Sequence, residues 1–349
     1  MTPGVRDQAP SVGAVDDAAW DAYVAGHPDR CAYHYAGWAR VVSVAFAHEA
    51  VMLAATTDTR VVGVLPLIVM RSRLFGRFVV SLPYLNEGGV LADDAIAESA
   101  LIEKAVEISR DAAADYLELR HTRRHSMNLT DRQHKVAMTL ALAESPDRQW
   151  QALDRKVRNQ VRKGERSGLE VVSGGEELIG SFYEVFARNM RDLGTPVFGV
   201  RIFDEALRAF PQHCRVFCAR HEGSTVAAAI VHWRGDSLEV IWASALRESN
   251  RLSANVFLYW HLVQFAIAQK CTRFEFGRCT PGEGPFQFKR QWGAEPRPLV
   301  WEYWHANSSV DHDKSPRNPK YRAAVALWQR LPLGITTMVG PRIVRNIPC

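Results

Sequence analysis

Apolar positions along this chain recur with two periods. From Asp16 to Ala25, and again from Ala36 to Phe46, they return every three or four residues, the spacing of a helix with one buried face. The run VMLAATTDTRVVGVLPLIVM (Val51 to Met70) is instead β-rich, with a turn expected at Thr57-Asp58-Thr59. After Gly88-Gly89 a long helical segment covers Ala95 to Ala114, with Ala97, Leu101, Ala105 and Ile108 on one face. The strand DYLELR, Asp115 to Arg120, follows.

The second half repeats this order. A helix is expected from about Ser181, then a hairpin in RVFCARHEGSTVAAAIVHWRG turning at Glu222-Gly223, then a strand over Ser237 to Leu246. The apolar segment SANVFLYWHLVQFAIAQ, Ser253 to Gln269, reads as a helix with Ser253 as its N-cap. The strand TRFEFGR, Thr272 to Arg278, takes the place of DYLELR. Two copies of helix, antiparallel strands, helix and strand predict a duplicated α+β unit and not a solenoid, since no short period is present. The joint falls near Ala143 to Gln149, which puts one domain at 16–145 and a second at 146–307. Residues 308–349 remain. SSVDHDKSPRNPK is polar and turn-rich, a linker; YRAAVALWQRL (Tyr321 to Leu331) is a helix broken by Pro332. Its Val325, Leu327 and Trp328 need cover, so this helix is expected to pack back onto the first copy.

Composition narrows the class. The chain has 349 residues, 47% hydrophobic and 23% charged, and ten tryptophans, the make-up of a folded protein of about two domains. A net charge of +5 suits an anionic partner: a phosphate-bearing substrate, RNA or a membrane face. The six cysteines contain no C-x-x-C pair, which points to a reduced cytosolic compartment and to no zinc. The N-terminus lacks a secretory pattern, and the longest apolar run, Val61 to Met70, is about half of what a bilayer requires. A cytoplasmic protein is expected, with peripheral contact at the inner face of the membrane left open.

Charge gathers in DRKVRNQVRKGERSG, Asp154 to Gly168. On a helix Arg155, Arg158, Arg162 and Arg166 share one face, with Lys156 and Lys163 beside it and Val157 and Val161 opposite. Such a stripe repels itself unless an anion meets it, and phosphate matches the Arg forks; a solvated helix face is the plainer alternative. A second basic stretch is RHTRRH, Arg120 to His125. His121 and His125 have the spacing of a metal pair, but no carboxylate stands near them in sequence, and a basic surface loop is expected, with no metal. Walker, G-x-S-x-G and H-E-x-x-H motifs are absent. Cys279 has no recognisable His partner and reads as structural. The most suggestive segment is GEGPFQFKRQWG, Gly282 to Gly293. It sets Lys289 among Phe286, Phe288 and Trp292, where a desolvated ammonium could stabilise an oxyanion; the alternative is an amphipathic strand with its lysine in water.

The ordered segments RKGERSGLEV, DLGTPVF, NVFLYW, FEFGRCTPGEGPFQFKRQWG and NPKYR, with LPLIVMRSRLFGRFVVSLPYLNEGGVLADD in the first half, resemble the FemAB-like family, in its branch associated with exosortase (PEP-CTERM) and exopolysaccharide systems. The resemblance runs from about Trp20 to Pro341 and implies two tandem GNAT-like acyltransferase domains. It implies an aminoacyl or acyl transfer to an amine of an envelope precursor, from aminoacyl-tRNA or acyl-CoA, with no bound cofactor and no DNA partner. It also implies that Phe288-Lys289 lies at the reaction centre, Lys289 holding the carbonyl oxygen, and that the basic helix faces phosphates. Arg40, Arg201 and Arg278 are further candidates for substrate contacts. Neither half carries the glycine pattern of a CoA pyrophosphate turn: ALRESNRLSAN, Ala245 to Asn255, has no glycine at all. The helical-hairpin insertion that some Fem enzymes use for tRNA has no room here. A catalytically degenerate binding module for phosphate-bearing precursors is the alternative function, and RNA binding a third. If Lys289 is catalytic, replacing it with alanine is expected to abolish transfer with little change in melting temperature.

Overall fold

The computed structural model describes residues 9–72, 75–125, 129–307 and 319–348, without the side chains of 319–322. The expected polar linker lies almost wholly outside these residues. The chain divides into two compact units: one runs to Gln133 and resumes at Leu299, and the other runs from His134 to Pro298 and includes the C-terminal helices.

The first unit opens with β1 (Ser11–Gly13), α1 (Asp17–Gly26) and α2 (Ala36–Phe46). Asp16 caps α1 by accepting from the Ala19 amide. The β-rich run folds as β2 (Glu49–Thr57) and β3 (Arg60–Ser72), an antiparallel pair whose turn places Asp58 at positive φ. β4 (Gly76–Val80), the short β5 (Leu91–Ala92), α3 (Ala95–Asp111) and β6 (Tyr116–His121) complete the order. Asp94 caps α3, and Leu101, Ile102 and Ala105 on its inner face are fully buried. The strands lie in the order β1-β2-β3-β4-β6, antiparallel until the parallel step from β4 to β6.

β7 (Thr130–Ala141) carries the chain into the second unit, through α4 (Pro146–Ala152) and α5 (Arg155–Arg166). Then come β8 (Glu170–Gly174), α6 (Ile179–Leu193), α7 (Arg201–Ala209), β9 (Cys214–His221), β10 (Ser224–Arg234), β11 (Ser237–Ala245), α8 (Ala254–Ala268), β12 (Arg273–Cys279) and α9 (Gly284–Arg290). The antiparallel run β8-β9-β10-β11 again ends in a parallel step, β11 to β12, and β12 pairs β7 on its other side. β13 (Glu295–His305) returns the chain to the first unit, where Val300 to His305 pair antiparallel with β6. Each unit thus holds the α+β order expected of a duplication, with the parallel step following a long helix. The exchange through β7 and β13 was not expected from the sequence.

Two details differ from expectation. Ser253 does not cap α8 with its side chain: it sits at φ 60°, and its carbonyl accepts the Phe257 amide. The tail forms two helices, α10 (Pro319–Arg330) and α11 (Leu333–Val344), that pack on α6 of the second unit. Glycines explain the seat. A Cβ at Gly194 would meet Val325 of α10, and one at Gly340 of α11 would lie 2.9 Å from the Val197 backbone. The small residues that admit these helices therefore belong to the second copy and not, as expected, to the first.

Candidate functional site

The second unit has a break in its sheet. Among the described residues, β11 and β12 are in register only over Ser237–Glu239 and Arg273–Glu275, although β11 runs on to Ala245 and β12 to Cys279. The pairing of β12 with β7 also shifts between Glu275 and Arg278. Gly277 sits there at φ 73°, a left-handed conformation that favours glycine. Carbonyls freed from a ladder need another donor. Lys289 supplies it: its Nζ donates to the carbonyl oxygens of Gly277 at 2.8 Å and Arg278 at 2.9 Å.

Lys289 reaches these carbonyls from a helix, not from a strand or loop. α9 starts at Gly284 with Pro285 in its first turn, where a missing N–H costs nothing, and Gly293 follows at φ 86°. The aromatic residues do not wall the ammonium as expected. Phe288 packs edge-on to Tyr259 at 5.1 Å, and the buried Trp292 packs toward Phe276 at 6.2 Å. These rings fix the helix on the core while Lys289 projects to the strand end. It is 7% exposed, and among the described residues no carboxylate lies within ion-pairing distance. Burial pushes its ammonium down to about 8, with Cys279 and Glu239 acting in the opposite sense. Lys135 adds a second amine at the strand end, donating to Thr280 Oγ1 at 2.6 Å. Burial raises the Cys279 thiol, which fits a structural cysteine.

A protonated lysine has three N–H donors. Two are used on carbonyls here, and one remains. That last donor, on a desolvated cation beside the opened strands, can meet an oxygen on which negative charge is growing. The same geometry revises the expected behaviour of Lys289→Ala. It would strand two carbonyls, so a loss of stability accompanies any loss of chemistry.

The basic helix is present, but its stripe is divided. α5 turns Val157 and Val161 inward, and Gly164 lies so close to α8 that an added Cβ would be 2.8 Å from Phe257. A surface cavity of about 580 Å³ is lined by Asp154, Arg155, Lys156, Asn159, Gln160 and Lys163. Arg155 alone of the expected Arg155-Arg158-Arg162-Arg166 stripe lines it. Arg162 stands over the Trp150 ring at 5.5 Å, and Arg158 is half-buried. Step size explains the division, because Lys156, Asn159 and Lys163 share a face rotated from that stripe. Asp154 caps the helix, accepting from the Lys156 amide at 2.6 Å.

Other candidates are scattered. Arg201 opens α7 and lies 3.6 Å from Glu205, while Arg40 on α2 pairs with Asp17. Arg278 lies on β12 and gives its carbonyl to Lys289. Glu275 on β12 accepts from Thr139 Oγ1 at 2.6 Å.

The expected basic surface loop at Arg120 to His125 holds in the first unit only for its middle, where Arg123 and Arg124 are exposed. Arg120, His121 and His125 are buried. Arg120 Nε donates to Glu118 at 2.8 Å, and its guanidinium lies over the Trp301 ring at 4.4 Å. Glu302 of β13 is the carboxylate that local sequence did not offer. Its Oε2 lies 2.8 Å from His121 Nδ1 and 2.6 Å from His125 Nδ1. Burial alone would raise the Glu302 carboxyl, but hydrogen bonds from the two histidines hold it at about 2; burial pushes His121 down to about 4. These three residues could hold a metal by composition, with donor atoms within 4.8 Å of one another. Their contacts are nevertheless at hydrogen-bond length, whereas ligands of a tetrahedral zinc stand about 3.3 Å apart. Glu302 also accepts the His125 amide at 3.2 Å. As it stands, the cluster is a hydrogen-bond network centred on Glu302, with His121 Nε2 buried and without a partner among the described residues.

Comparison with known proteins fixes the class. Residues 151–290, which include α5, the opened strands and Lys289, match the acetyltransferase (GNAT) domain family. FemX shares the fold with a TM-score of 0.64 over 83% of this chain and 96% of that one, at 13% identity. A conserved protein of unknown function from Bacteroides thetaiotaomicron gives 0.57 at 10% identity, covering 84% of this chain and 99% of that one. The C-terminal domain (DUF2156) of a putative lysylphosphatidylglycerol synthetase from Agrobacterium fabrum gives 0.53 at 11% identity, covering 84% and 90%. No curated protein matches the chain in sequence. The chain is therefore an α+β protein with a GNAT-like fold, which it shares with FemX.

Proposed function

We propose that this chain transfers an acyl or aminoacyl group to an amine on a phosphate-bearing precursor of the cell envelope or of an exopolysaccharide, at the inner face of the membrane. Lys289 carries the reading: a buried ammonium with one uncommitted N–H at the end of an opened parallel strand pair. In the proposed step the acceptor nitrogen attacks the donor carbonyl carbon, and the carbonyl π pair moves onto oxygen. Lys289 receives that oxygen, an interaction worth roughly 3 kcal/mol for a single oxyanion donor. Collapse expels the thiolate or ribose oxygen of the donor, and the proton of the amine leaves to water or to that leaving group. Arg155, Lys156 and Lys163 would hold phosphate oxygens in the cavity of α5.

The likeness to FemX and to a putative lysylphosphatidylglycerol synthetase supports an envelope substrate, and the exosortase-type sequence pattern supports a polysaccharide one. The glycine-free stretch Ala245 to Asn255 folds as a tight 3₁₀ turn before α8. A turn without glycine favours a donor other than acyl-CoA, with aminoacyl-tRNA next in line. The test offers purified protein labelled acetyl-CoA or a mixture of aminoacyl-tRNAs. The acceptors are a nucleoside-diphosphate amino sugar and a nucleotide-linked muramyl peptide. Covalent transfer that Lys289→Ala lacks supports the reading; transfer that survives the substitution removes the lysine from it. One observation favours a second reading, a non-catalytic binding module: two of the three Lys289 donors already serve the backbone. Such a module gives salt-sensitive binding of the acceptors and no product.

A further inference from the structure

Eight large apolar side chains are conspicuously exposed among the described residues, and five of them gather in one region of the second unit: Leu193, Val200, Leu327, Ile335 and Met338. Leu327 is 65% exposed and Met338 60%, the two highest values of the set. They stand on helices whose other faces are well seated. α11 buries Thr336, Gly340 and Val344, and Val325 of α10 packs on Gly194. The Gln329 side chain secures α10 through the Asp192 carbonyl at 3.0 Å.

The outward positions are ordered. On α11 Ile335, Met338, Arg342 and Arg345 are all exposed and recur at steps of three, four and three, one continuous stripe from apolar to cationic. On α10 Leu327 and Arg330 repeat the pairing at a step of three. Leu193 and Val200 flank the seat at the end of α6 and the start of α7. From Ala323 to the C-terminus the sequence has three arginines and no aspartate or glutamate.

We infer that the outward face of α10 and α11 docks on a membrane surface containing anionic lipid. Leucine, isoleucine and methionine would enter the boundary between headgroups and acyl chains, and Arg330, Arg342 and Arg345 would reach the lipid phosphates. Charge decides between this occupant and a second copy of the chain. A two-fold interface sets a patch against itself, so Arg330 and Arg342 would face their own copies, and neither α10 nor α11 carries an acid to meet them. An anionic bilayer removes that conflict. Among the described residues no helix is long and apolar enough to cross a membrane, so contact through these helices would be peripheral.

The test is flotation of the full chain with phosphatidylcholine vesicles, with and without phosphatidylglycerol, at low and high salt. Binding is expected to require the anionic lipid and to weaken in high salt. The Leu327→Ser/Met338→Ser pair and the Arg330→Gln/Arg342→Gln pair should each weaken binding about tenfold or more. Their circular-dichroism melts should match the parent, because all four side chains are exposed. The inference does not rest on the transfer chemistry, and Lys289→Ala should float like the parent. Absence of binding at every composition overturns it. So does binding that both pairs leave intact, or a dimer in light scattering that Leu327→Ser/Met338→Ser dissociates.

Discussion

The two units bury positive charge in different ways. In the first, the Arg120 cation meets Glu118, while Glu302 accepts from His121, which burial keeps uncharged near pH 7, and from His125. In the second, Lys289 is nearly as deep, yet among the described residues its hydrogen bonds go only to two backbone carbonyls. A buried cation answered by a carboxylate is neutralised and holds the fold. A buried cation answered only by dipoles keeps its field and one donor for an incoming group. The same α+β order therefore supports a carboxylate-centred polar network in one copy and, in the function proposed above, the position that receives the oxyanion in the other.

Substitution of Lys289 by alanine should give the largest effect. Turnover is expected to fall by about 10²–10³. The melting temperature should fall as well, since each stranded carbonyl costs roughly 1–3 kcal/mol. Turnover must therefore be normalised to folded protein measured by circular dichroism. Glu302→Gln should behave in the reverse manner. Weakening its charge-assisted bonds to the histidines is expected to cost about 2–3 kcal/mol in denaturant titration, with turnover per folded molecule within about twofold. If Glu302→Gln abolished turnover without loss of stability, the contrast between the two units would fail.

Smaller effects sharpen the picture around α5. The pair Lys156→Gln/Lys163→Gln should raise KM for a phosphate-bearing acceptor about tenfold with kcat nearly unchanged, because these lysines line the cavity. Arg162→Ala should leave KM alone. It removes a cation standing over Trp150, a change of roughly 0.5–1 kcal/mol in stability at most. Equal effects of the two substitutions on KM would return the phosphate contact to the full arginine stripe.

Much of the fold was legible because it rests on local periodicity. α2 spans Ala36–Phe46 as its apolar spacing dictates, and the hairpin of β9 and β10 turns where Glu222-Gly223 adopt positive φ. The choice of Lys289 was legible from its neighbours in sequence, but its setting was not. Nothing local says that Gly277 breaks a ladder and leaves carbonyls to be met. The plainer reading of the segment around Lys289 was an amphipathic strand, because its aromatic residues and glycines outweigh seven helical residues, whereas Pro285 in fact lies in the first turn of a helix. The His121–His125–Glu302 network was invisible for another reason: its carboxylate lies 181 residues from His121, and only the return of β13 beside β6 unites them. The seat of the tail helices depends likewise on two glycines far apart in sequence, Gly194 and Gly340.

The most direct test of the central claim is the pH dependence of turnover in the parent protein, with Lys289→Ala as the reference. Burial lowers the Lys289 ammonium to about 8 from about 10.5, so the protonated form is lost as pH rises through 8. If that form stabilises the oxyanion, the ratio of parent to Lys289→Ala turnover, in which the ionisation of the acceptor amine cancels, should fall about tenfold per unit above pH 8. A ratio that stays level or rises through pH 8 would contradict it.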